Sequence, residues 1–155
     1  ARKTIWIENA YFVPDGQIRR GLVNAVERGV DVRVLVPGPH IDTPYVRMAS
    51  RFHYGELLDG NVKMYEYQPT MMHNKVMVVD GIWTTIGSIN FVNRSMKKNA
   101  EANVAIYDHG FAQIVEKSIL ADLGKSREFT KRMWKRRGFL TRVVETFSWL
   151  FSENY

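Results

Sequence analysis

The sequence predicts an α/β sandwich in which helices flank both faces of a largely parallel or mixed β-sheet. Two observations favour this class. Short runs rich in β-branched residues alternate with segments whose apolar residues recur at helical spacing, and Gly or Pro marks several junctions between them. With 155 residues, of which 45% are hydrophobic and 25% are charged, the chain is long enough for one compact domain.

The first half of the chain predicts three strands and two helices. Strands are expected at residues 4–9, 31–36 and 62–67. The first helix is expected over residues 17–28 and ends at Gly29; its apolar face comprises Ile18, Leu22, Ala25 and Val26. The second helix is expected to start near Asp42, to carry Pro44 in its first turn and to end at Gly60.

The second half predicts a hairpin, one more strand and further helices. Residues 73–80 and 83–86 are expected to form the hairpin, because Asp80-Gly81 is a strong turn pair. The apolar run that follows Glu101 predicts a neighbouring strand over residues 102–107. Asp108 is expected to cap a helix that runs to about Gly124, and the remaining residues predict one or two more helices.

One frame of polar residues lies in this hairpin and just after it. The frame has the spacing H-x-K-x4-D-x6-G-S-x-N, and its members are His73, Lys75, Asp80, Gly87, Ser88 and Asn90. Six specified positions at roughly 5% usage each match by chance on the order of 10⁻⁸ per starting point, so coincidence explains the frame poorly. The frame therefore predicts a functional site.

The chemistry of the frame suits phosphoryl transfer. Side chains alternate along a strand, so His73 and Lys75 are expected to project from one face of a buried strand. The imidazole can act as nucleophile or general acid, and the ammonium suits phosphate oxygens. Gly87 would let backbone approach a phosphate, while Ser88 and Asn90 add neutral donors.

The frame resembles the signature of the phospholipase D superfamily, and Asn99 and Glu101 follow it at the spacing the superfamily favours. Four further stretches resemble the carboxyl-terminal half of bacterial cardiolipin synthases: residues 11–14, 28–33, 65–69 and 93–95. The resemblance covers nearly the whole chain and implies a phospholipase D-like sandwich. It also implies that Glu101 orients His73, whereas Asp80 mainly serves structure. Considered alone, Glu101 could equally be a solvated carboxylate at the start of a strand.

The resemblance implies a phosphatidyltransferase that passes a phosphatidyl group to phosphatidylglycerol through a phosphohistidine, without metal or nucleotide. The related enzymes carry the histidine motif twice, whereas this chain carries it once. Either a second motif-bearing half completes the site or two copies of this chain do. In two-motif relatives the amino-terminal histidine is generally the nucleophile, so His73 is expected to be the general acid. The alternatives are a phospholipase D-type hydrolase, a homodimeric nuclease or other phosphodiesterase, and an inactive membrane-binding half-domain.

Two residues outside the frame are candidates for substrate contact besides Gly87. Tyr11 follows the first strand, at the carboxyl end where ligands of α/β proteins tend to bind, although packing is a competing interpretation. Arg94 belongs to one of the stretches that carry the resemblance. His40, His53 and His109 lack a lysine two residues on, and we interpret them as ordinary loop or helix histidines.

The positive charge is concentrated near the carboxyl terminus. Residues 125–142 carry eight basic side chains and the single acid Glu128, a net +7 within a total of +6. An apolar stripe at helical spacing follows, which suits an anionic membrane surface, although the stripe could equally pack on the domain. The side chains expected at the membrane are Lys131, Arg132, Lys135, Arg136 and Arg137. Nucleic acid is the less favoured partner.

We expect residues 1–124 to form a phospholipase D-like catalytic half-domain and residues 125–155 to form a basic, amphipathic helical extension packed on it. The chain begins Ala1-Arg2-Lys3 and continues at once into a strand, so it is expected to be a piece of a longer protein. It has no cysteine, and its four histidines lack the spacing of a ligand set, so we expect no metal and no cofactor. The resemblance implies the bacterial cytoplasmic membrane, with peripheral attachment or an anchor outside this piece.

Overall fold

A computed structural model describes residues 1–152 as seven strands and seven helices. The strands are β1 (Thr4–Asn9), β2 (Asp31–Pro37), β3 (Lys63–Tyr67), β4 (Lys75–Val79), β5 (Trp83–Gly87), β6 (Asn103–Tyr107) and β7 (Ser126–Phe129). The helices are α1 (Gly16–Glu27), α2 (Pro44–Phe52), α3 (Tyr54–Asp59), α4 (Asn93–Lys97), α5 (His109–Leu123), α6 (Lys131–Lys135) and α7 (Phe139–Ser152).

The strands form one mixed sheet in the order β6-β5-β4-β1-β2-β3-β7. Within residues 1–152, β1-β2 and β2-β3 pair in parallel and the other four pairings are antiparallel. The predicted α/β class is confirmed in its mixed form. The sheet is not largely parallel, because the β4-β5 hairpin inserts beside β1 and each edge strand joins its neighbour in the antiparallel sense.

Helices pack on both faces of the sheet, as predicted. On one face α1 and α3 cover β1, β2 and β3, and the main core contains Leu22, Val34, Leu57 and Met64. On the other face α5 packs Ala112 and Ile119 against Val78 of β4. The helix ends follow the sequence signals, since Asp15 caps α1, Asp108 caps α5, and Gly29 takes a φ of 87° just past α1.

The expectation that β4 is a buried strand is wrong for most of its length. Val78 is buried beneath α5, while Met77 and Val79 project to the opposite face, where Met77 packs against the main core and both remain half-buried. Lys75 lies on the same face as Met77, at the start of the strand. The motif strand is therefore partly covered on both faces.

The single helix expected between Asp42 and Gly60 forms as two helices that meet at His53. The break lies beside Trp134 of α6: its indole Nε1 donates to the Arg51 carbonyl at 3.3 Å, and a Cβ at Gly55 would lie 2.4 Å from the same ring. The Arg51 side chain pairs with Glu66 of β3. Trp134 therefore contacts the chain on both sides of the break.

The region after residue 124 is not helical throughout. Residues 126–129 form β7, which pairs with β3 and extends the sheet, so the helical expectation is wrong for these four residues. Helices α6 and α7 then follow within the predicted extension. The domain boundary at residue 124 stays a prediction.

Candidate active site

His73 and Lys75 are in direct contact at the start of β4. His73 lies two residues before the strand and is exposed, and the Lys75 ammonium nitrogen lies 3.0 Å from its Nδ1 and 3.1 Å from its Nε2. Lys75 also donates to the His73 carbonyl at 3.0 Å. The pair predicted from the sequence therefore forms, with the ammonium against the imidazole.

A contact on the other face of the sheet holds this pair in place. Asn74, between the two, donates from its side chain to the Glu8 carboxylate at 2.7 Å, and its carbonyl accepts from the Ala10 N–H at 2.9 Å. Glu8 is 1% exposed and its second oxygen, Oε1, has no hydrogen-bond partner within residues 1–152. Burial raises the pKa of the Glu8 carboxyl; the Asn74 hydrogen bond opposes this, and the charge of Asp122 adds to it.

The residues after β1 connect this pair to the second part of the frame. Asn9 donates to the Ile89 carbonyl at 3.2 Å and accepts from the Phe91 N–H at 3.1 Å. The Tyr11 N–H donates to Asn90 Oδ1 at 3.3 Å. Tyr11 also places its ring edge-on to His73, with 5.8 Å between ring centroids, and its hydroxyl donates to Asp42 at 2.6 Å. His73, Lys75, Tyr11 and Asn90 thus converge at the carboxyl end of β1.

Asp80 lies away from that convergence and has a structural task. It takes a φ of 55° in the turn before Gly81, and its carboxylate accepts from the backbone N–H groups of Arg2, Lys3 and Thr4 at 2.7–2.9 Å. Burial alone would raise the pKa of Asp80, but these three donors lower it below its ordinary value. The motif aspartate therefore fixes the motif hairpin to the start of β1 and takes no place beside His73.

Gly87 and Ser88 lie against the segment that enters β6. A Cβ at Gly87 would lie 2.2 Å from the Ala102 carbonyl oxygen and 2.2 Å from Asn103 Oδ1, so the missing side chain makes room for the segment entering β6. The Ser88 hydroxyl accepts from the Ala102 N–H at 3.0 Å. Gly87 therefore allows the close approach of this segment; it also lines the cleft beside the frame, and its contact with a phosphate stays a prediction.

Glu101 binds a different partner from the one expected. Its carboxylate accepts from the Ser95 hydroxyl at 2.7 Å and from the Asn99 amide at 3.4 Å, and within the described residues it makes no hydrogen bond to His73. The Ser88 and Ser95 hydroxyls lower the pKa of Glu101 below its ordinary value. Arg94 joins this cluster by donating to Asn99 at 3.3 Å. Glu101 therefore anchors the loop beside the frame, and its charge acts on Lys75 through space.

A cleft of about 460 Å³ borders the frame between the sheet and α5. His73, Lys75 and Glu8 line one part of it, and the apolar side chains of Ile86, Ile114 and Val115 line another. Among the described residues no group of three or more carboxylate or histidine side chains could hold a metal ion. The arrangement offers a nucleophile or proton donor, an ammonium for an anionic oxygen, and an apolar wall beside them.

The basic residues expected at a membrane differ in exposure. Lys131, Arg132, Lys135 and Arg136 are exposed. The expected exposure of Arg137 at a membrane is wrong. Its guanidinium pairs with the buried Glu145 and lies 3.9 Å from the centroid of the Trp134 ring, and only 10% of its side chain is exposed. Arg137 is thus part of the packing between α6 and α7.

Sequence reasoning missed Glu8, Asn9 and Asn74. Glu8 and Asn74 are 66 residues apart, and Asn9 is 82 residues from Phe91, so no local spacing reveals these contacts. The polar pair Glu8-Asn9 could have indicated these contacts, because it ends an otherwise apolar strand two residues before Tyr11, the candidate for substrate contact. Buried polar groups in such a position require partners.

Comparison with known proteins identifies the family of this chain. Residues 1–123 match the family model described as the cardiolipin synthase, phospholipase D-like domain. A probable cardiolipin synthase of Bacillus subtilis is 38% identical over 98% of this chain, and a cardiolipin synthase A of Pseudomonas aeruginosa is 43% identical over 84% of it. The chain spans only 30% and 26% of the lengths of these two relatives.

Solved structures share the fold at low sequence identity. The phospholipase D family member Nuc from Salmonella typhimurium superposes with a TM-score of 0.73 at 22% identity, covering 84% of each chain. The phosphatidylserine synthase from Haemophilus influenzae gives a TM-score of 0.72 at 14% identity, covering 97% of this chain and 41% of that one. With most of its length matched by the family model and its fold shared with these structures, the chain belongs to the family of cardiolipin synthase phospholipase D-like domains.

Proposed function

We propose that this chain is one half of a phosphatidyltransferase that makes cardiolipin. The reaction transfers a phosphatidyl group from one phosphatidylglycerol to a glycerol hydroxyl of another and releases glycerol. The observation that carries the proposal is the contact of Lys75 with His73 at the convergence that Tyr11 and Asn90 complete. Family membership supports the choice of a phospholipid as substrate.

In the proposed mechanism the nucleophile belongs to the second motif-bearing half, which is not part of this chain. A histidine of that half attacks phosphorus, the new P–N bond forms as the P–O bond to the leaving glycerol breaks, and His73 gives its proton to the departing oxygen. In the second step His73 takes the proton from the attacking hydroxyl, the new P–O bond forms and the P–N bond breaks. Lys75 stabilises the negative charge on the phosphoryl oxygens in both steps.

The apolar wall of the cleft favours lipid over nucleic acid as substrate. Ile86 and Ile114 are 39% and 67% exposed on the side of the cleft next to the frame. Such side chains suit the apolar part of a lipid better than a hydrated polynucleotide. Transfer from labelled phosphatidylglycerol tests the choice: cardiolipin supports the proposal, phosphatidic acid identifies a hydrolase, and plasmid cleavage identifies a nuclease.

We expect these 155 residues alone to be folded but nearly inactive, and the complete two-motif enzyme to be active. One motif supplies one of two opposed histidines, and the absence of a general acid or a nucleophile costs about 10²–10⁴ in rate. Turnover of the isolated chain, of the complete enzyme and of the chain mixed with the other half measures the difference. We expect the mixture to recover activity.

The competing arrangement is a symmetric dimer in which two copies of His73 face each other across a two-fold axis. Sedimentation of the isolated chain in parallel with the assay separates the two arrangements. Strong phosphodiesterase turnover by a homodimer of this chain would contradict the proposal that a second motif-bearing half completes the site, and it would favour the nuclease-like alternative.

We expect Glu101→Gln to lower turnover less than His73→Ala and to shift the alkaline limb of the pH–rate profile to lower pH. Burial lowers the pKa of the Lys75 ammonium, and the charges of Glu101 and Asp42 oppose that shift. Without the Glu101 charge the pKa of Lys75 falls further, so Lys75 loses its proton at a lower pH. Glu128→Gln, on the exposed edge strand, is the matched control and should leave the profile unchanged. If the Glu101→Gln profile coincided with that of the wild type, a purely structural role for Glu101 would follow.

We place the enzyme at the bacterial cytoplasmic membrane, where its proposed substrate resides. No helix among residues 1–152 is long and apolar enough to cross a bilayer. The exposed basic side chains of Lys131, Arg132, Lys135 and Arg136 support contact with anionic headgroups.

A further inference from the structure

Helix α7 packs the side that carries Glu145 and Trp149 on the protein and turns a side rich in aliphatic and Phe residues outward. The inward side carries Glu145, which is 1% exposed and paired with Arg137, and Trp149, whose ring stacks on Phe52 with centroids 4.6 Å apart. The outward side chains are between 50% and 78% exposed: Phe139, Leu140, Val144, Phe147 and Leu150. This is the reverse of the usual arrangement of an amphipathic helix on a domain.

The outward residues form a continuous surface. At about 100° per residue, Leu140, Val144, Phe147 and Leu150 fall within an arc of about 120°. Glu145 lies about 140° from Leu140 and Trp149 about 180° from it, so the packed and apolar sides are well separated. We call the surface formed by Phe139, Leu140, Val144, Phe147 and Leu150 the outer face of α7. Contiguous exposed apolar surface of this kind marks an interaction site.

The surroundings of the outer face are positively charged. Lys131, Arg132, Lys135 and Arg136 are exposed on α6 and in the turn directly before Phe139, and Lys131 also pairs with Asp59 at 3.5 Å. Within residues 130–152 the sole acid is Glu145, and it is buried and already paired. An apolar face with an exposed cationic flank complements a surface that is apolar inside and anionic outside.

The dimensions suit a helix that lies on a bilayer. The 14 residues of α7 span about 21 Å, shorter than the roughly 30 Å of a hydrocarbon core. Because α7 also packs on α2 along one side, it can enter a bilayer only from the outer face. That geometry corresponds to shallow burial at the level of the headgroups.

We infer that the outer face of α7 docks this protein in the plane of an anionic bilayer, with Leu140 and Phe147 among the acyl chains and Arg132, Lys135 and Arg136 at the lipid phosphates. The inference rests on the proposed function for its choice of a lipid partner. Docking of this kind would keep the active site around His73 close to the bilayer that contains the proposed phospholipid substrate.

Vesicle sedimentation of the 155-residue chain tests the inference. We expect binding to vesicles of equal parts phosphatidylcholine and phosphatidylglycerol, and much weaker binding to phosphatidylcholine alone. Leu140→Ser/Phe147→Ser should weaken binding to the mixed vesicles by about tenfold or more. Both positions are exposed, so the thermal unfolding midpoint should not fall. Leu120→Ser, an exposed leucine on α5, is the matched control and should bind as the wild type does.

Two further measurements separate this inference from its alternatives. Lys135→Glu/Arg136→Glu should remove the preference for phosphatidylglycerol. His73→Ala should bind vesicles normally, so a failure of the proposed transferase activity would leave the vesicle result standing. Unchanged vesicle affinity of Leu140→Ser/Phe147→Ser overturns the inference. If that variant instead converted a dimer into monomers in sedimentation equilibrium, the outer face would join protein to protein.

Discussion

His73→Ala in the complete enzyme is expected to lower turnover by more than about a hundredfold, and Lys75→Ala to do the same. His73 is the proposed proton donor and acceptor at the phosphoryl centre, and no other histidine side chain is expected to replace it. The Lys75 ammonium contacts His73 and is the proposed ligand of the phosphoryl oxygens. Initial rates of phosphatidyl transfer at saturating lipid measure both losses.

The controls for these variants are residues of the same type outside the site. His40 lies exposed in a loop and Lys117 is exposed on α5, so alanine at either position should leave turnover within experimental error. His73 is itself exposed, and His73→Ala should therefore unfold at the wild-type temperature. Near-wild-type turnover in His73→Ala or Lys75→Ala would contradict the assignment of these two residues to the active site.

Glu66→Ala is expected to lower the free energy of unfolding by about 3–5 kcal/mol. Glu66 on β3 is fully buried; both its oxygens accept from Arg51 at 2.8 Å, and one also accepts from Arg47 at 3.0 Å. Removing the carboxylate leaves two largely buried guanidinium groups without their charge partner. Urea denaturation followed by circular dichroism measures the loss.

Asp31→Ala is the matched control for Glu66→Ala, because Asp31 also pairs with two cations, Arg33 and Lys63, but at a partly exposed site. Its loss should stay below about 1 kcal/mol. The pH dependence has a definite sign. Burial raises the pKa of Glu66, but Arg51 and Arg47 lower it below its ordinary value, so the stabilisation is present above the ordinary glutamate pKa and is lost as pH falls through the lowered one. Equal losses in the two variants would contradict a special role for the buried cluster.

The hairpin and the central pair could be predicted because their signals are local. Asp80-Gly81 adopts the turn that its residue types favour, and the spacing of His73 and Lys75 brings their side chains into contact. The partners of Glu101 and Gly87 could not be predicted, since they depend on how residues 95–103 pack beside β5. A motif fixes which residues approach the site but not the neighbours with which each one pairs.

The same limit explains the errors in secondary structure. The break at His53 lies where Trp134, 79 residues beyond Gly55 in the chain, contacts both helices. Strand β7 is short and rich in charge, and its strand conformation comes from pairing with β3. For α7, the sequence pattern is the same whichever side faces the protein. The orientation is decided by the Glu145–Arg137 and Trp149–Phe52 contacts, which only the folded chain brings together.

The hydrogen bond between Glu8 and Asn74 has a consequence for how such sequences diverge. Glu8 is buried, and Asn74 donates the side-chain hydrogen bond that its carboxylate accepts among the described residues, so an apolar residue at position 74 would leave that carboxylate without a partner. Neither position can then drift independently, although neither touches substrate in the proposed mechanism. Among descendants of one ancestral domain, substitutions at positions 8 and 74 should therefore occur in compensating pairs.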